Sequence, residues 1–551
     1  MMSFDVIVIG GGHNGLVCAA MLGRAGRKVL VLEADEALGG AARTEEFHPG
    51  FRASTAHLLN RLHPEVAKGL GLDIVGLAKL PPPLTPPLKG EGVADVAESP
   101  SPLRGGVRGG GIDIAPTSLL SFGRPPLVLH GAWGERIDGD ISDAEKRAWS
   151  DMRAQLIRYA GILKPFLTRN PPDLHGMPLA EKLAFGGAGL ALKRLGKEAM
   201  RDFLRMLLMN VHDVADEHLT DDRLKGLLAF DATLGSHLGP RSPTSLLGLY
   251  YRLTGEADGQ AGGQIVPAGG MGAVVEAIAA NGRNAGVEIR TGAPVARIIV
   301  EKGRAVAIEL AGGERIAAGA VVSAINPRTT LFDLVGTAEI DTGVVRKAWN
   351  IRMKGDVAKL HLALDGIPDF PGLPDDALRG RLVVAPSSDH VERAFNPSKY
   401  GEFSPEPVME IVLPSVTDTS LAPAGGCVLS ASIQFAPYAL KEGWAKGKPK
   451  FLKAVMAVLE AHAPGIGRLV RHADLLTPAD IEARYRMPGG HWHHGELQVD
   501  QMLLNRPFFG AEQYAAPIDG LWLASAGSHP GGGVSGVPGL NAARAVLRGR
   551  G

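Results

Sequence analysis

Glycines near the amino-terminal end of the chain are spaced as in a turn that binds phosphate. The motif Gly-Gly-Gly-His-Asn-Gly follows an apolar strand predicted over Phe4–Ile9 and precedes a helix predicted over Gly15–Ala25. Gly10 permits a tight turn, Gly12 lets the main chain approach a pyrophosphate, and Gly15 allows close packing of helix against strand. N–H groups at the start of a helix favour negative charge. We therefore expect a dinucleotide at this turn.

An acidic residue and a second glycine pair follow the next predicted strand. Glu33 ends an apolar strand predicted over Lys28–Leu32, where a carboxylate can accept hydrogen bonds from ribose hydroxyls. Gly39 and Gly40 let the main chain approach the other side of a pyrophosphate, which Arg43 can neutralise. An ordinary turn with a surface arginine is the alternative for Arg43. The two glycine motifs together favour FAD over NAD.

The carboxyl-terminal loop is the other glycine-rich segment. Six glycines fall within residues 527–539, between a strand predicted over Leu521–Ala524 and a helix predicted from about Gly539. A plain linker, the alternative, is richer in serine or charge and rarely lies between buried elements. Main chain packed against a flat ring fits the pattern better. N–H groups of the following helix would then stabilise negative charge on a reduced flavin.

Histidines occur in two of the late segments. From Gly489 the chain reads Gly-Gly-His-Trp-His-His-Gly-Glu, and three interpretations stay open: a metal site, a wall of the substrate cavity, or polar packing under a turn. No ligand motif containing a carboxylate accompanies these histidines, so we predict no metal. His494 and His529 are the candidate catalytic residues. His529 can donate a proton, contact the flavin ring, or only stabilise its loop by a hydrogen bond.

Composition argues against several classes of function. Lys plus Arg and Asp plus Glu both number 58, so no net field attracts nucleic acid. Cys18 and Cys427 are the only cysteines and lie in no C-x-x-C motif, which argues against disulfide exchange and excludes a zinc site of the cysteine type. Neither a secretory signal nor an unbroken apolar stretch of membrane-spanning length is found. We expect a protein of the cytoplasm or an organelle matrix.

Alternating strand and helix patterns occur at the start, in the middle and at the end of the chain, with segments of a different pattern between them. This arrangement predicts an α/β fold with a discontinuous Rossmann-type domain and an inserted α+β substrate domain. Residues 140–255 have a helical pattern, with a strongly apolar stretch at Arg201–Val211. The predicted nucleotide-binding domain comprises residues 1–80, 256–345 and 495–551. The predicted substrate domain comprises residues 112–255 and 346–494.

The remaining residues, 81–111, differ in composition from the rest of the chain. They hold seven prolines and seven glycines. Such a tract buries too little apolar surface to offset the entropy of ordering, so we predict a disordered insertion in a surface loop. Binding of a partner that recognises proline-rich segments is the alternative.

Seven segments together resemble the phytoene desaturase-related flavin oxidoreductases, and within them the branch named after a pyridine nucleotide-disulfide oxidoreductase domain. They are GGGHNG from Gly10, Glu33, GGAARTEE from Gly39, PAGGM from Pro267, VVSAINP from Val321, GGHWHHGELQVDQ from Gly489 and HPGGGVSGVPGLNAA from His529. The resemblance implies non-covalent FAD in a fold like that of amine oxidases. It implies that the ADP and pyrophosphate are held by Gly10, Gly12, Gly15, Glu33, Gly39 and Gly40. It also implies that Val295 meets the adenine and that Gly527, Gly536 and Val537 lie beside the flavin.

These observations predict an FAD-dependent oxidoreductase that acts on an apolar, polyene or lipid-like small molecule by hydride transfer to or from flavin N5. The helices of residues 140–255 would line an apolar tunnel and could rest on a membrane surface, or simply pack as core. Two other functions stay open. One is a flavin-dependent isomerase, and the other is a non-catalytic interaction protein that binds FAD.

Overall fold

The computed structural model describes residues 3–59, 62–73, 114–172, 179–257 and 259–549, and the insertion predicted over 81–111 lies outside them. Numbered along the described chain, the strands are β1 (Ser3–Ile9), β2 (Val29–Leu32), β3 (Thr44–His48), β4 (Phe51–Ser54), β5 (Thr117–Ser121), β6 (Arg124–His130), β7 (Arg136–Asp138), β8 (Glu256–Ala257), β9 (Gln260–Ala261), β10 (Glu288–Arg290), β11 (Val295–Glu301), β12 (Arg304–Leu310), β13 (Arg315–Ser323), β14 (Val357–Leu364), β15 (Arg381–Val384), β16 (Met409–Val412), β17 (Cys427–Gln434), β18 (Val470–Leu476) and β19 (Leu521–Leu523). The α-helices are α1 (His13–Arg24), α2 (Pro64–Leu70), α3 (Asp143–Thr168), α4 (Leu179–Arg194), α5 (Lys197–Met206), α6 (Val211–His218), α7 (Asp222–Thr233), α8 (Leu246–Leu253), α9 (Met271–Asn284), α10 (Thr342–Trp349), α11 (Ser388–Phe395), α12 (Pro414–Thr417), α13 (Trp444–His462), α14 (Ile466–Leu469), α15 (Pro478–Tyr485) and α16 (Val537–Arg548).

The first sheet takes its strands from three separated parts of the chain. Its order is β10-β2-β1-β13-β12-β11, with β19 beside β13. β1 pairs in parallel with β2 and β13, and β13 pairs in parallel with β19. Every residue of β2 is buried, as expected for a parallel strand covered on both faces. The carboxyl ends of β2, β1, β13 and β19 therefore share one edge, where ligands of such sheets bind.

Helices α1, α9 and α16 cover one face of the first sheet. Val6 and Val8 of β1 pack in this layer, whereas Ile7 and Ile9 point to the apolar cluster on the opposite face. Glycine permits the close approach of α16 to α1, since a side chain on Gly539 would lie 2.1 Å from the carbonyl oxygen of Asn14. This packing brings the start of α16 beside the turn that precedes α1.

The second sheet has the order β18-β14-β17-β16-β15-β5-β6-β7. Among the described strands of this second sheet, only β15 and β5 pair in parallel. One face packs on α13, where Leu360 and Leu362 join Phe451 and Val455 in an apolar cluster. The other face meets α7 and α8. All residues of β14 and β17 are buried, so their polar side chains are enclosed on that second face.

The predicted positions of most strands and helices agree with the observed ones to within a few residues. The apolar stretch Arg201–Val211 differs, because α5 ends at Met206 and α6 begins at Val211. The side chain of Asn210 caps the second helix by accepting a hydrogen bond from the N–H of Asp213 at 2.8 Å. Within the described chain, none of the helices combines the length and apolar character needed to cross a bilayer.

Candidate active site

The glycine turn between β1 and α1 combines tight packing with one open position. Gly10 has a φ of +99°, and a side chain on Gly15 would lie 2.1 Å from the carbonyl oxygen of Gly10. A side chain on Gly12 would meet no described atom within 4 Å, because that side opens into a cavity. No side chain caps α1 at Gly12, so N–H groups of the first turn stay available for an anion.

Glu33 lies at the carboxyl end of β2 and lines the same cavity. Its carboxylate accepts hydrogen bonds from the N–H of Gly11 at 2.6 Å and of Asp35 at 3.0 Å. These bonds join the ends of β1 and β2. Each carboxylate oxygen has a further lone pair, so the predicted bonds to ribose hydroxyls remain geometrically possible.

The cavity has a volume of about 530 Å³ and extends over the shared edge of the first sheet toward the second sheet. It lies between the glycine turn and residues of β16 and β17. The residues predicted as ligands of the nucleotide that line it are Gly10, Gly12, Glu33, Gly39, Gly40 and Val295. We call these six residues the glycine cradle. Gly15 does not line the cavity, and its role is the close packing already described.

The second glycine pair lies against the first turn. The N–H of Gly39 donates to the carbonyl oxygen of Gly11 at 2.9 Å, and a side chain on Gly40 would meet no described atom within 4 Å. Arg43, however, does not line the cavity. Its guanidinium donates to Asp35 at 2.8 Å and to Glu45 at 2.7 Å.

The arginine that does line the cavity near Asp35 is Arg486, which follows α15. Its guanidinium lies 3.0 Å from the carboxylate of Asp35. The phosphate-neutralising role predicted for Arg43 stays a prediction, and Arg486 is a second guanidinium near Asp35 that does line the cavity. Sequence reasoning missed Arg486 because more than four hundred residues separate it from the glycine pair.

The carboxyl-terminal loop reaches the cavity through Ala526, Gly533 and Val534. The predicted flavin neighbours Gly527, Gly536 and Val537 do not line the cavity and pack against protein. A side chain on Gly527 would lie 2.5 Å from Cδ of Pro327, and one on Gly536 would lie 3.0 Å from Val66. Val537 begins α16 and is 1% exposed. Glycine serves both close packing and ligand approach, and the sequence does not distinguish the two uses.

The candidate catalytic histidines occupy different places. His494 lines the cavity with a φ of +55°, and its Nδ1 is buried without a hydrogen-bond partner among the described residues. Burial lowers the pKa of His494 to about 3, so its imidazole is neutral at ordinary pH. His529 does not line the cavity and is 1% exposed. Its carbonyl oxygen accepts a hydrogen bond from the hydroxyl of Tyr514 at 2.6 Å, a main-chain contact that does not involve the imidazole.

The neighbours of His494 have structural contacts. Nε2 of His491 lies 3.4 Å from the carboxylate of Glu496, and Arg506 donates to the carbonyl oxygen of Glu496 at 3.0 Å. No group of three or more potential metal-ligating side chains is found in the part of the chain that the structure describes. Within the histidine segment, His494 thus lies in the cavity wall while His491 packs on Glu496.

The inner end of the cavity is lined by four polar residues that sequence reasoning missed: His57, Arg252, Glu410 and Ser432. They come from four distant segments, namely the loop after β4, α8, β16 and β17. Nε2 of His57 lies 2.9 Å from Oε1 of Glu410. The signal that could have revealed this face is the alternation of polar residues with leucine or isoleucine in β14 and β17.

Comparison with known proteins identifies the class. The model of the family described as flavin containing amine oxidoreductase matches residues 122–410, more than half of the 551 residues. A model of NAD(P)-binding Rossmann-like domains matches residues 8–67. The chain belongs to the flavin-containing amine oxidoreductase family. It is an FAD-dependent oxidoreductase, as the glycine motifs and the resemblance predicted.

The chain is also similar in sequence to individual proteins, and in fold to a solved structure. The mouse (Mus musculus) pyridine nucleotide-disulfide oxidoreductase domain-containing protein 2 is 32% identical, over 99% of this chain and 93% of its own length. A limonene dehydrogenase subunit from Castellaniella defragrans is 26% identical, over 99% of this chain and 94% of its own length. The structure of cyclohexylamine oxidase from Brevibacterium oxydans has the same fold, with a TM-score of 0.55 at 16% identity over 99% of this chain and 100% of its own.

The cavity of this flavin-containing oxidoreductase fits FAD by its shape and polar atoms. The open positions at Gly12 and Gly40 leave room for a pyrophosphate against main chain. Nε2 of His13 and Oδ1 of Asn14 are buried at the cavity without hydrogen-bond partners among the described residues. Since buried polar atoms are rarely left unpaired, these atoms indicate that a polar ligand occupies this end.

Proposed function

We propose that the enzyme oxidises or reduces an apolar small molecule, of polyene or lipid-like character, by hydride transfer between a substrate carbon and N5 of the flavin. The observation that carries this proposal is the cavity wall beyond the glycine cradle. It is lined by the apolar side chains of Leu58, Leu234, Ile481, Met487 and Trp492. The kinship with the limonene dehydrogenase chain, which is named for a hydrocarbon, supports it.

The side chains of this wall exclude water and position an apolar substrate. Burying apolar substrate surface supplies about 25 cal/mol per Å², which favours a hydrocarbon over a polar competitor. FAD, when bound, supplies the two-electron acceptor or donor.

The chain supplies no dithiol for this purpose, because Cys18 and Cys427 are both buried and free and lie on α1 and β17. Burial raises the pKa of the Cys18 thiol to about 12, which keeps it unreactive.

In the oxidative direction, a substrate carbon would give its hydride to the flavin and its neighbour would give a proton to the neutral imidazole of His494 in the cavity wall, leaving a carbon–carbon double bond. Neutral imidazoles suit such a site, since they add no charge beside a hydrocarbon. Burial lowers the pKa of His13 to about 4 and that of His494 to about 3. Both side chains line the cavity and stay uncharged at ordinary pH.

The test is anaerobic mixing of the FAD-loaded enzyme with limonene, with a carotenoid polyene and with cyclohexylamine, followed by absorbance near the flavin maximum. We expect bleaching by at least one of the hydrocarbons. Leu234→Asn should slow that bleaching because it places a polar amide in the apolar wall, without changing FAD content. Leu190→Asn is the matched control, since Leu190 is 47% exposed and lies outside the cavity.

Three results would contradict the proposal. Bleaching by the amine alone would assign amine oxidation. A change in double-bond geometry without bleaching would assign the isomerase function. A flavin that dithionite reduces but that no compound or cell extract reduces would favour the interaction protein.

A further inference from the structure

The second sheet encloses a row of charged and polar side chains that an apolar substrate does not require. In β14, Lys359 and His361 alternate with leucines that pack on α13. Strand alternation directs both side chains to the opposite face, toward α7 and α8. Ser432 of β17 and Glu410 of β16 pair side by side with Lys359 across this face. Lys359 is 1% exposed and Glu410 is 3% exposed.

These residues form one connected group, which we call the charge cluster: His57, Asp231, Arg252, Lys359, Arg381 and Glu410. Arg381 forms ion pairs with Asp231 and with Glu410. Nε of Arg252 lies 3.4 Å from Asp231, and its terminal nitrogen lies 3.7 Å from Glu410. The amine of Lys359 contacts Nδ1 of His57 and lies 3.4 Å from Oγ of Ser432.

The protonation state of His57 follows from these contacts. Its Nε2 faces the carboxylate of Glu410 and donates to it, and its Nδ1 faces the amine of Lys359 and accepts from it. His57 is therefore neutral. Burial and the neighbouring Lys359 lower its pKa to about 4, in agreement with that tautomer. His361 on the same face is neutral too, because burial and Lys359 hold its pKa well below the usual range.

The cluster has more cationic than anionic groups. Two carboxylates, Asp231 and Glu410, balance the two guanidinium groups of Arg252 and Arg381. Although burial opposes ionisation of Glu410, the charges of Arg381 and Arg252 and the hydrogen bond from His57 together hold the pKa of that carboxyl well below its usual range. Lys359 is the remaining basic group, and the cluster holds no third carboxylate to balance its charge when the amine is protonated. Burial holds the pKa of Lys359 well below its usual range, because an unbalanced buried charge is costly.

The cluster opens onto the substrate end of the cavity through His57, Arg252 and Glu410. We propose that the substrate of this oxidoreductase carries a carboxylate, which binds at this inner end beside Arg252 and His57 and balances the charge of Lys359 when that amine is protonated. This inference rests on the proposed function and narrows the substrate to an apolar acid. The carboxylate fixes which carbon of the apolar chain lies at the flavin.

Binding of a carboxylate makes the cluster neutral only when Lys359 holds its proton. The pKa of Lys359 therefore rises on binding, and the enzyme takes up a proton when the free amine is neutral beforehand. The other groups that face Lys359 do not compete for that proton. His57 and His361 are neutral with low pKa values, and the Glu410 carboxylate is held ionised.

The test measures binding to the FAD-loaded enzyme at pH 8 without turnover, by flavin absorbance and by calorimetry in two buffers of different ionisation enthalpy. The probes are dodecanoate, dodecanamide, dodecanol and acetate. A charge-assisted contact predicts that dodecanoate binds about tenfold to a hundredfold more tightly than the amide or the alcohol, with proton uptake. Acetate should bind weakly, because it lacks the apolar chain.

Lys359→Met should abolish the preference for the acid and the proton uptake while leaving the FAD content unchanged. Arg153→Gln is the matched control, because Arg153 donates to carbonyl oxygens of Ala132 and Trp133 and does not line the cavity. It should keep both properties. If the methionine variant does not fold, the comparison of probes and the proton uptake in the unmodified enzyme decide alone.

Several outcomes overturn the inference. Equal binding of acid, amide and alcohol, or no binding of dodecanoate up to its solubility, removes the carboxylate site. Acetate binding as tight as that of dodecanoate assigns a small free anion instead of a substrate group. A preference for the acid that persists in Lys359→Met places the carboxylate elsewhere. None of these results depends on flavin bleaching, so failure of the proposed reaction is detected separately.

Discussion

Replacement of Glu33 by alanine tests how the nucleotide is held. In the structure this carboxylate is the acceptor for the N–H groups of Gly11 and Asp35, at 2.6 and 3.0 Å. Its predicted further role is to accept two hydrogen bonds from ribose hydroxyls. Hydrogen bonds to a charged group contribute about 1.5 kcal/mol or more each, so loss of two predicts about 3 kcal/mol weaker binding. That corresponds to a rise of about a hundredfold in the Kd for FAD.

The assay is the ratio of flavin to protein absorbance after purification, followed by titration of the apoprotein with FAD. Glu33→Gln should give an intermediate Kd, because the amide keeps one acceptor oxygen. The matched control is Asp5→Ala. Asp5 accepts a hydrogen bond from the N–H of Lys28 at 2.9 Å at the opposite end of the same strands, away from the cavity. Full FAD occupancy and an unchanged Kd in Glu33→Ala would refute the ribose role.

Three other predictions address the cavity, the insertion and the histidines. Gly12→Val should fold with an unchanged circular dichroism spectrum but purify without flavin, because its side chain would project into the cavity; flavin retention would contradict this. Deletion of residues 82–110 should leave the flavin spectrum and melting temperature nearly unchanged, and a large fall in either would show that the tract packs. Burial lowers the pKa of His494 from 6.5 to about 3, so the unfolded chain binds a proton that the folded chain does not, and stability falls as the pH drops below about 6.5. Melting temperatures at pH 7.5 and 5 should therefore differ less in His494→Gln than in the unmodified enzyme; an equal difference would contradict this prediction.

The two ends of the cavity differ in the polar and charged groups that line them. The glycine cradle offers main-chain N–H groups and carries Glu33, whereas the inner end carries the charge cluster. Buried ion pairs contribute little net stability compared with apolar packing. Stability therefore does not explain why the charge cluster lies at the cavity, whereas the binding proposed above does. An acid with an apolar chain would contact the apolar wall with that chain and the charge cluster with its carboxylate.

The local parts of the fold were predictable from the sequence. The strand, glycine turn and helix at residues 3–24 follow from apolar alternation and from glycine spacing, both of which act over a few residues. The resemblance and the motif at Gly39 led to FAD and to the amine oxidase-like fold, which the family match confirms. The boundaries predicted for the two domains stay predictions, as do the roles of the individual site residues.

The sequence alone determined that a nucleotide-binding turn exists, because that turn is made by neighbours in the chain. Only the tertiary structure decided which glycines of the last loop face the cavity, since a glycine that admits a ligand and one that admits a helix look alike in sequence. It also decided that His57, Arg252 and Glu410 meet at one end of that cavity. Their contacts join residues up to 353 positions apart, and such pairings depend on how the sheets pack rather than on any local pattern.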